Sequence, residues 1–259
     1  MTLTTEAVVL RGIRYSESSK ILTLYTRARG KLSAMAKGAL RPGSKFGASL
    51  EPMSYVTAVL YVKETRDIQL LAQCDVMKPF RGLTDNLERM AAGMAIVELL
   101  DAVTHAEEHN DILFQLLVQT LEAVSGATKG PEIALYFFEV RLLEVLGFRP
   151  DFRNCVTCHM PVDAVAMGAQ GGESRLSQSG VVCPRCAGNH RGLLPVSPGA
   201  LRVLQRMQEL QTPEGVTRWA LSPPVGAEVG GTLRRFLVSH IEGLRTSKSQ
   251  EVFASMFHQ

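Results

Sequence analysis

Residues 6–37, EAVVLRGIRYSESSKILTLYTRARGKLSAMAK, decide the fold of the N-terminal part. They divide into three short apolar-rich runs, 6–13, 20–27 and 31–37, separated by turns at Tyr15–Ser19 and Ala28–Gly30. Two further runs follow, 53–63 (MSYVTAVLYVK) and 67–76 (DIQLLAQCDV), with a turn at Glu64–Arg66. β-Branched and aromatic residues recur through these runs, and no strong helical pattern lies between them. Five strands within residues 1–80 are therefore expected.

Five short strands suit a small closed β-barrel of the oligonucleotide/oligosaccharide-binding (OB) type, which takes single strands on one face and in its loops. The charge distribution points the same way. The chain of 259 residues has a net charge of only +3, yet residues 1–50 carry nine Lys/Arg and two acids, a balance of +7. Residues 81–150 carry five bases and eleven acids, a balance of −6. One end suits polyanions and the middle does not. The most basic part is the loop between the third and fourth runs, 37–52, KGALRPGSKFGASLEP. Its Lys37, Arg41 and Lys45 are spaced by glycines and a proline, so backbone and long cationic side chains can both approach phosphates. Phe46 is the aromatic expected to stack on a base. Arg27, Arg29 and Lys31 add charge at the preceding turn, and Arg11 joins them from the first run. The competing account is a solvated basic surface. Residues 38–45 also approach a phosphate-binding P-loop, but Ser44 and Lys45 are transposed, and Gly47 and Pro52 stand where a helix should open.

From residue 81 the periodicity turns helical. Asp85 with Glu88 forms a candidate cap, and Leu87, Met90, Met94, Val97 and Leu100 fall on one face. Asn110 or Asp111 starts a second helix, with Leu113, Leu116, Leu117, Leu121 and Val124 inward and Gly126 at its end. Pro131 suits the first turn of a third helix running to Gly147, apolar nearly all round and so expected to be the buried central one. His105-Ala-Glu-Glu-His109 matches a zinc-protease pattern, but Asn110-Asp111 interrupt it at once, and it is read as a polar interhelix turn. Further on, Ser197-Pro198 caps a helix carrying Leu201, Val203, Leu204, Met207 and Leu210. Pro223-Pro224 is expected to break the chain. A last helix holds Val229, Leu233, Phe236, Leu237, His240, Ile241 and Leu244, with His240 a core histidine. Arg234, Arg235, Arg245 and Lys248 line its exposed side, as a solvated face or a second phosphate contact.

Four of the five cysteines form two C-x₂-C pairs, Cys155/Cys158 and Cys183/Cys186, separated by 24 residues. Each short knuckle can present both thiols to one tetrahedral ion, so a structural Zn²⁺ site with four thiolates is expected. A closed shell leaves no position for a reactive water. Redox pairs, disulfides or inert thiols are the alternatives, and His159 and His190 are read as bystanders. The spacer, with Gly168, Gly171, Gly172 and Gly180, reads as a small hairpin-rich insertion dependent on metal.

The expected architecture is α+β and multidomain. Residues 1–80 form a five-stranded OB-type barrel that binds nucleic acid. Residues 81–259 form an all-α helical bundle, with 151–195 as an inserted Cys₄ zinc knuckle. No apolar run approaches the ~20 residues of a membrane span. The start, MTLTTEAVVLRG, lacks the pattern of a secretory signal, and thiols grouped as knuckles fit a reducing cytoplasm.

The N-terminus through EAVVLRGIRYSESSKILTLYTRARGKLSAMAKGALRPGSKFGASLEPMSYV resembles the RecO family of bacterial recombination mediators. The segment AKGALRPGSKFGASLEP is its most specific part; family members often carry a second basic residue where Leu40 stands. The resemblance extends through the helical middle, the knuckles and the closing HIEGLRTSKS, and the cysteines match the zinc-containing members. It implies a non-enzymatic protein of DNA repair and recombination that binds single- and double-stranded DNA and anneals complementary strands. It further implies assistance in loading the RecA recombinase onto DNA covered by single-strand-binding protein, partnership with RecR, and RecF as a further candidate partner. A groove on the helical domain would take the acidic, apolar C-terminal tail of the single-strand-binding protein, with Arg141 a candidate for its carboxylate. The implied location is cytoplasmic, at the nucleoid. Readings from other classes are a P-loop NTPase or zinc hydrolase, an adaptor that binds only proteins, and an RNA-binding OB protein.

Overall fold

Short apolar-rich runs, alternating in burial along the third and fourth and continuously buried in parts of the first two, set five strands at the N-terminus: β1 (Thr2–Arg14), β2 (Lys20–Thr26), β3 (Gly30–Ala36), β4 (Tyr55–Tyr61) and β5 (Ile68–Lys78). They close into a barrel in the order β1-β2-β3-β5-β4, antiparallel except for β3 and β5. Every strand has two neighbours, so no edge is left to recruit another chain. The interior is filled by Val9, Leu22, Leu24, Leu32, Ala34, Val56, Leu60 and Leu71, all 5 % exposed or less. The computed structural model describes residues 1–162 and 174–244.

One irregularity in β1 matters for what the barrel presents. Ala7 and Val9 point into the core, and strict alternation would put Arg11 there too. The pairing of β1 with β2 instead shifts between Val9 and Arg11. This bulge resets the alternation. Gly12, though exposed, now takes the face on which a Cβ would sit 3.1 Å from Leu22, and Arg11 and Ile13 face out. At the other end, buried Gln69 closes the β4–β5 turn by accepting from the Lys63 N–H at 2.9 Å and donating to the Lys63 and Arg66 carbonyls.

Two helices, α1 (Leu87–Val103) and α2 (Asp111–Gly126), complete the first compact unit, Met1–Gly126; the second begins at Ala127. The last strand of the barrel ends at Lys78, and by packing α1 and α2 go with the barrel. The cap of α1 is Asn86, whose side chain accepts from the Arg89 N–H at 3.0 Å, not Asp85 with Glu88. Asn places its acceptor over the first free N–H groups without a further turn of chain. Leu87 and Met90, expected inward, are 59 % and 38 % exposed; burial along α1 begins only at Ala91, after its first turn. Asn110 caps α2 by accepting from Leu113 N–H, and Leu113, Leu116, Leu117, Leu121 and Val124 are buried as the periodicity requires. The segment between the two helices is a turn, with no continuous helix through His105 and His109. Glu107 N–H donates to Lys31 carbonyl, which fixes this turn against β3. Gly30 allows that approach: its φ is +66°, and a Cβ there would collide with the Glu108 carbonyl.

In the second unit α3 (Pro131–Val145) is buried along Ile133–Val140 and packs against two later helices, α5 (Pro198–Glu209) and α6 (Pro223–His240). Ser197 caps α5 by accepting from Ala200 N–H at 3.1 Å. Pro223 and Pro224 do not break the chain; they form the first turn of α6 behind Ser222, where a missing N–H costs nothing. His240 ends that helix partly buried, its Nδ1 at 2.8 Å from Phe236 carbonyl. Between α3 and α5 lie three short strands, β6 (Ser174–Ser177), β7 (Gly180–Val182) and β8 (Leu194–Val196), in the order β7-β6-β8, with one helical turn, α4 (Pro184–Ala187). Gly168, Gly171, Gly172, Arg245 and Lys248 lie outside the described residues. Among the described residues, no helix is long and apolar enough to cross a membrane.

Candidate nucleic-acid interface and metal centre

The basic loop between β3 and β4 is a fixed structure tied at three points. Leu40 N–H donates to Ser18 carbonyl at 3.0 Å, which joins the loop to the β1–β2 turn. Lys45 Nζ donates to Ala72 carbonyl on β5 at 2.5 Å and lies 5.2 Å from the centre of the Phe46 ring. Phe46 itself enters the barrel core and is 4 % exposed. The expectation that Phe46 stacks on a base meets this burial: the ring belongs to the core cluster of the barrel and is not open to a base here. A 3₁₀ turn, Gly47–Leu50, follows where a P-loop would need a long helix, which removes the phosphate-binding alternative.

Lys37 and Arg41 are exposed at the top of this loop, and among the described residues neither forms an ion pair. The other basic candidates are placed differently. Arg11 is 63 % exposed in its side chain and stands 3.7 Å from Asp101. Arg27 donates to Asp111 at 2.8 Å and pairs with Glu6 at 3.3 Å; the Asp111 hydrogen bond, then its charge, raises the guanidinium pKa. Arg29 pairs with Glu107 at 3.8 Å. Lys31 pairs with Asp101 at 2.8 Å and donates to the carbonyls of Asp101 and Thr104. Arg27, Arg29 and Lys31 thus already face acids of α1, α2 and the turn between them. Arg14, which sequence reading passed over, is exposed, with Nε donating to Ser16 carbonyl at 3.3 Å. Its pairing with Lys20, and of Lys20 with Ala36, puts it at the same end of the barrel as Lys37.

In the second unit the four knuckle cysteines converge: their Sγ atoms all lie within 4.8 Å of one another. A tetrahedral Zn²⁺ with Zn–S near 2.3 Å needs sulfurs about 3.8 Å apart. Cys158 and Cys183 are at 3.9 Å. The knuckles are built for this approach. In the first, His159 N–H returns to Cys155 carbonyl at 2.8 Å, and His159 takes a φ of +58° to turn the chain. In the second, Cys186 and Ala187 N–H both donate to Cys183 carbonyl at 3.0 Å. Burial pushes the Cys155 thiol up, but backbone N–H groups of Cys183, Cys158 and Thr157 more than reverse this and bring it to about 6. Cys186 moves the other way, first through its hydrogen bond with Cys183, to about 12. One thiolate is thus favoured locally, and four together need a cation. The donor set fits a soft tetrahedral metal. His190 is not a ligand: its Nε2 lies 3.0 Å from Thr157 Oγ1 and links the two knuckles. Cys74, the fifth cysteine, is buried in the barrel. Among the described residues, His105, Glu108 and His109 do not come together as a metal-binding cluster.

Arg141 on α3, the candidate for a partner's carboxylate, is held by Glu144 at 2.5 Å. A separate cavity of about 380 Å³ opens on the second unit between Leu176, Leu194 and Phe236, with Arg235 and Ser239 on its wall.

These features define a class: an α+β protein with an N-terminal OB-type barrel, a helical region and a four-cysteine cluster. The family model described as recombination protein O N terminal matches residues 1–80, and that described as recombination protein O C terminal matches residues 84–250. Three proteins named DNA repair protein RecO are similar over nearly the whole chain. The protein from Chloroherpeton thalassium is 32 % identical over 251 residues, covering 96 % of each chain. That from Symbiobacterium thermophilum is 33 % identical over 95 % of this chain and 94 % of its own. That from Salinibacter ruber is 34 % identical over 97 % and 93 %. The chain belongs to the RecO family.

Proposed function

We propose that this chain is a non-enzymatic DNA-binding mediator of recombination and repair in the cytoplasm. It binds and anneals single-stranded DNA, and it helps load RecA onto DNA covered by single-strand-binding protein, in partnership with RecR. The observation that carries the reading is the exposed Lys37 and Arg41, free of ion pairs, on a loop fixed to an OB-type barrel, in a chain whose residues 1–80 and 84–250 match the RecO family. Lys37, Arg41, Arg14 and Arg11 neutralise successive phosphates, and Lys45 holds the loop in place. Arg27, Arg29 and Lys31 contribute to the surrounding field. The mechanism is electrostatic: counterions leave the strand, and no bond is made or broken. The cavity beside Arg235 has the apolar walls and single cation that suit the acidic, apolar tail of single-strand-binding protein. The four cysteines hold Zn²⁺, which shapes the second unit and takes no part in chemistry.

Fluorescence anisotropy of labelled single-stranded DNA, titrated over a salt series, tests this. With about four phosphates engaged, log K should fall with log salt at a slope near −3. Reversing charge at Lys37 and Arg41 together should weaken binding to every sequence alike and flatten the slope by about 1.5. Binding that ignores both salt and reversal would remove the direct-contact mechanism. It would leave an adaptor for proteins.

A further inference from the structure

We infer that Tyr15 is the base-stacking residue of the barrel. A base of single-stranded DNA lies on its ring while Arg14, Lys37 and Arg41 hold the adjoining phosphates. This rests on the nucleic-acid reading above and names the contact that makes it a single-strand site.

The burial of Phe46 leaves the basic loop without an aromatic. The other rings of the first unit are accounted for. Tyr25, Phe80 and Phe114 are buried, and Tyr55 stacks on Phe80 with its hydroxyl donating to Glu6 at 2.8 Å. Two remain open: Tyr61 at 52 % and Tyr15 at 62 %. Tyr61 pairs with Thr2, at the end of β1 opposite Arg14. Its neighbours in the β4–β5 turn, Lys63, Glu64, Arg66 and Asp67, are of mixed sign. Tyr15 stands at the basic end.

Its placement follows from the β1 bulge. Once the alternation has been reset, Arg11 and Ile13 face outward, and Tyr15 follows them at the head of the turn to β2. The turn is held by N–H groups of Tyr15 and Ser16, both donating to Ser19 carbonyl. It is joined to the basic loop by the bond from Leu40 N–H to Ser18 carbonyl. Two more apolar side chains are exposed at this end: Ile13 at 50 %, on β1 two residues before Tyr15, and Leu40 at 36 %, whose backbone is bonded to the turn. The same end carries Arg14, Lys37 and Arg41, through the pairing of Arg14 with Lys20 and of Lys20 with Ala36 and the bond from Leu40 to Ser18, against one acid in the turn, Glu17. An apolar patch carrying a flat ring, on fixed backbone and bordered by cations, matches the two repeating features of a single strand: exposed base faces and evenly spaced phosphates. A duplex buries its base faces and offers the ring nothing.

The test uses the full chain and three probes at one salt concentration: a thymidine oligomer, an abasic deoxyribose-phosphate strand of the same length, and a duplex. Tyr15→Ala should lower affinity for the thymidine oligomer by about tenfold to a hundredfold. It should leave abasic-strand and duplex binding and the salt slope unchanged. Tyr15→Leu, which keeps apolar surface without a ring, should behave as Tyr15→Ala. Tyr15→Trp should restore binding, and it should add a fluorescence that the thymidine oligomer quenches and the abasic strand does not, over the Trp219 signal of the unaltered chain. Equal loss on thymidine and abasic strands would overturn the inference, since Tyr15 would then act only through the shape of the turn. Unchanged thymidine binding in Tyr15→Ala, with loss on reversing Lys37 and Arg41, would overturn the inference and keep the reading it rests on. Absence of binding by the unaltered chain would remove both.

Discussion

Glu139 lies within the buried run of α3, and its Oε2 meets no hydrogen-bond partner among the described residues. Burial pushes its pKa up to about 8, and the charge of Arg234 pulls it only part of the way back. In the unfolded chain the same carboxyl releases its proton near the ordinary glutamate value of about 4.3. Between those two values the folded state binds the extra proton, so stability falls as pH rises through the window and levels off above about 8. Glu139→Gln keeps the shape and removes the titration. The variant should show a flatter stability profile between pH 5 and 8 and should be more stable than the parent at pH 9, by on the order of 1–3 kcal/mol. Urea denaturation at both ends of the range measures this; parallel profiles would show that Glu139 does not carry the proton. In sequence, Glu139 is one polar residue in an apolar run, and nothing there distinguishes it from the exposed-face acids of other helices.

At the scale of elements, the loop between β3 and β4 owes its shape to Phe46. With the ring seated in the barrel and Lys45 fixed on Ala72 carbonyl, Lys37 and Arg41 are held outward. Phe46→Ala should destabilise the first unit by about 3–5 kcal/mol through the cavity it leaves. Phe46→Leu keeps most of the volume, so it should cost about 1.5 kcal/mol or less and retain single-strand affinity. A large loss of affinity in a folded Phe46→Leu variant would reinstate the ring as a nucleic-acid contact. The strands themselves are legible in the sequence because short apolar, β-branched runs, alternating in β3 and β4 and continuous in β1 and β2, are cut by turns with Ser16, Ser18 and Ser19 or with Gly30. Phe46 is not legible in the same way. Its neighbours Lys45 and Gly47 are polar or small, so it reads as loop, and only the closure of five strands supplies the cavity that it fills. The β1 bulge is equally silent: Arg11 follows Leu10 in either register, and which side it takes depends on the pairing with β2. Pro223-Pro224 reads as a break or as a first helical turn from the same residues, and packing against α3 and α5 selects the second.

At the scale of the whole molecule, the charge asymmetry in the sequence overstates the field that the barrel presents. Asp101, Glu107 and Asp111, acids of the helical stretch, fold back on Lys31, Arg29 and Arg27 within the first unit. The free positive charge is thereby concentrated on one end of the barrel. The second unit has a different dependence. Its sheet is made of strands of four, three and three residues, too short to hold together by pairing alone. A metal on the four-cysteine cluster would supply the missing constraint, and its binding would then be folding energy for that region. Protein purified without chelator should carry about one zinc per chain by elemental analysis. Stripping it with a strong chelator should open residues 151–162 and 174–196 to limited proteolysis. Because Lys37, Arg41 and Tyr15 belong to the first unit, single-strand affinity should change by less than about twofold. Protection of the knuckles that survives metal removal would make the thiols a self-sufficient core. A loss of DNA binding on stripping as large as that from reversing Lys37 and Arg41 would place a phosphate contact on the metal-dependent unit as well.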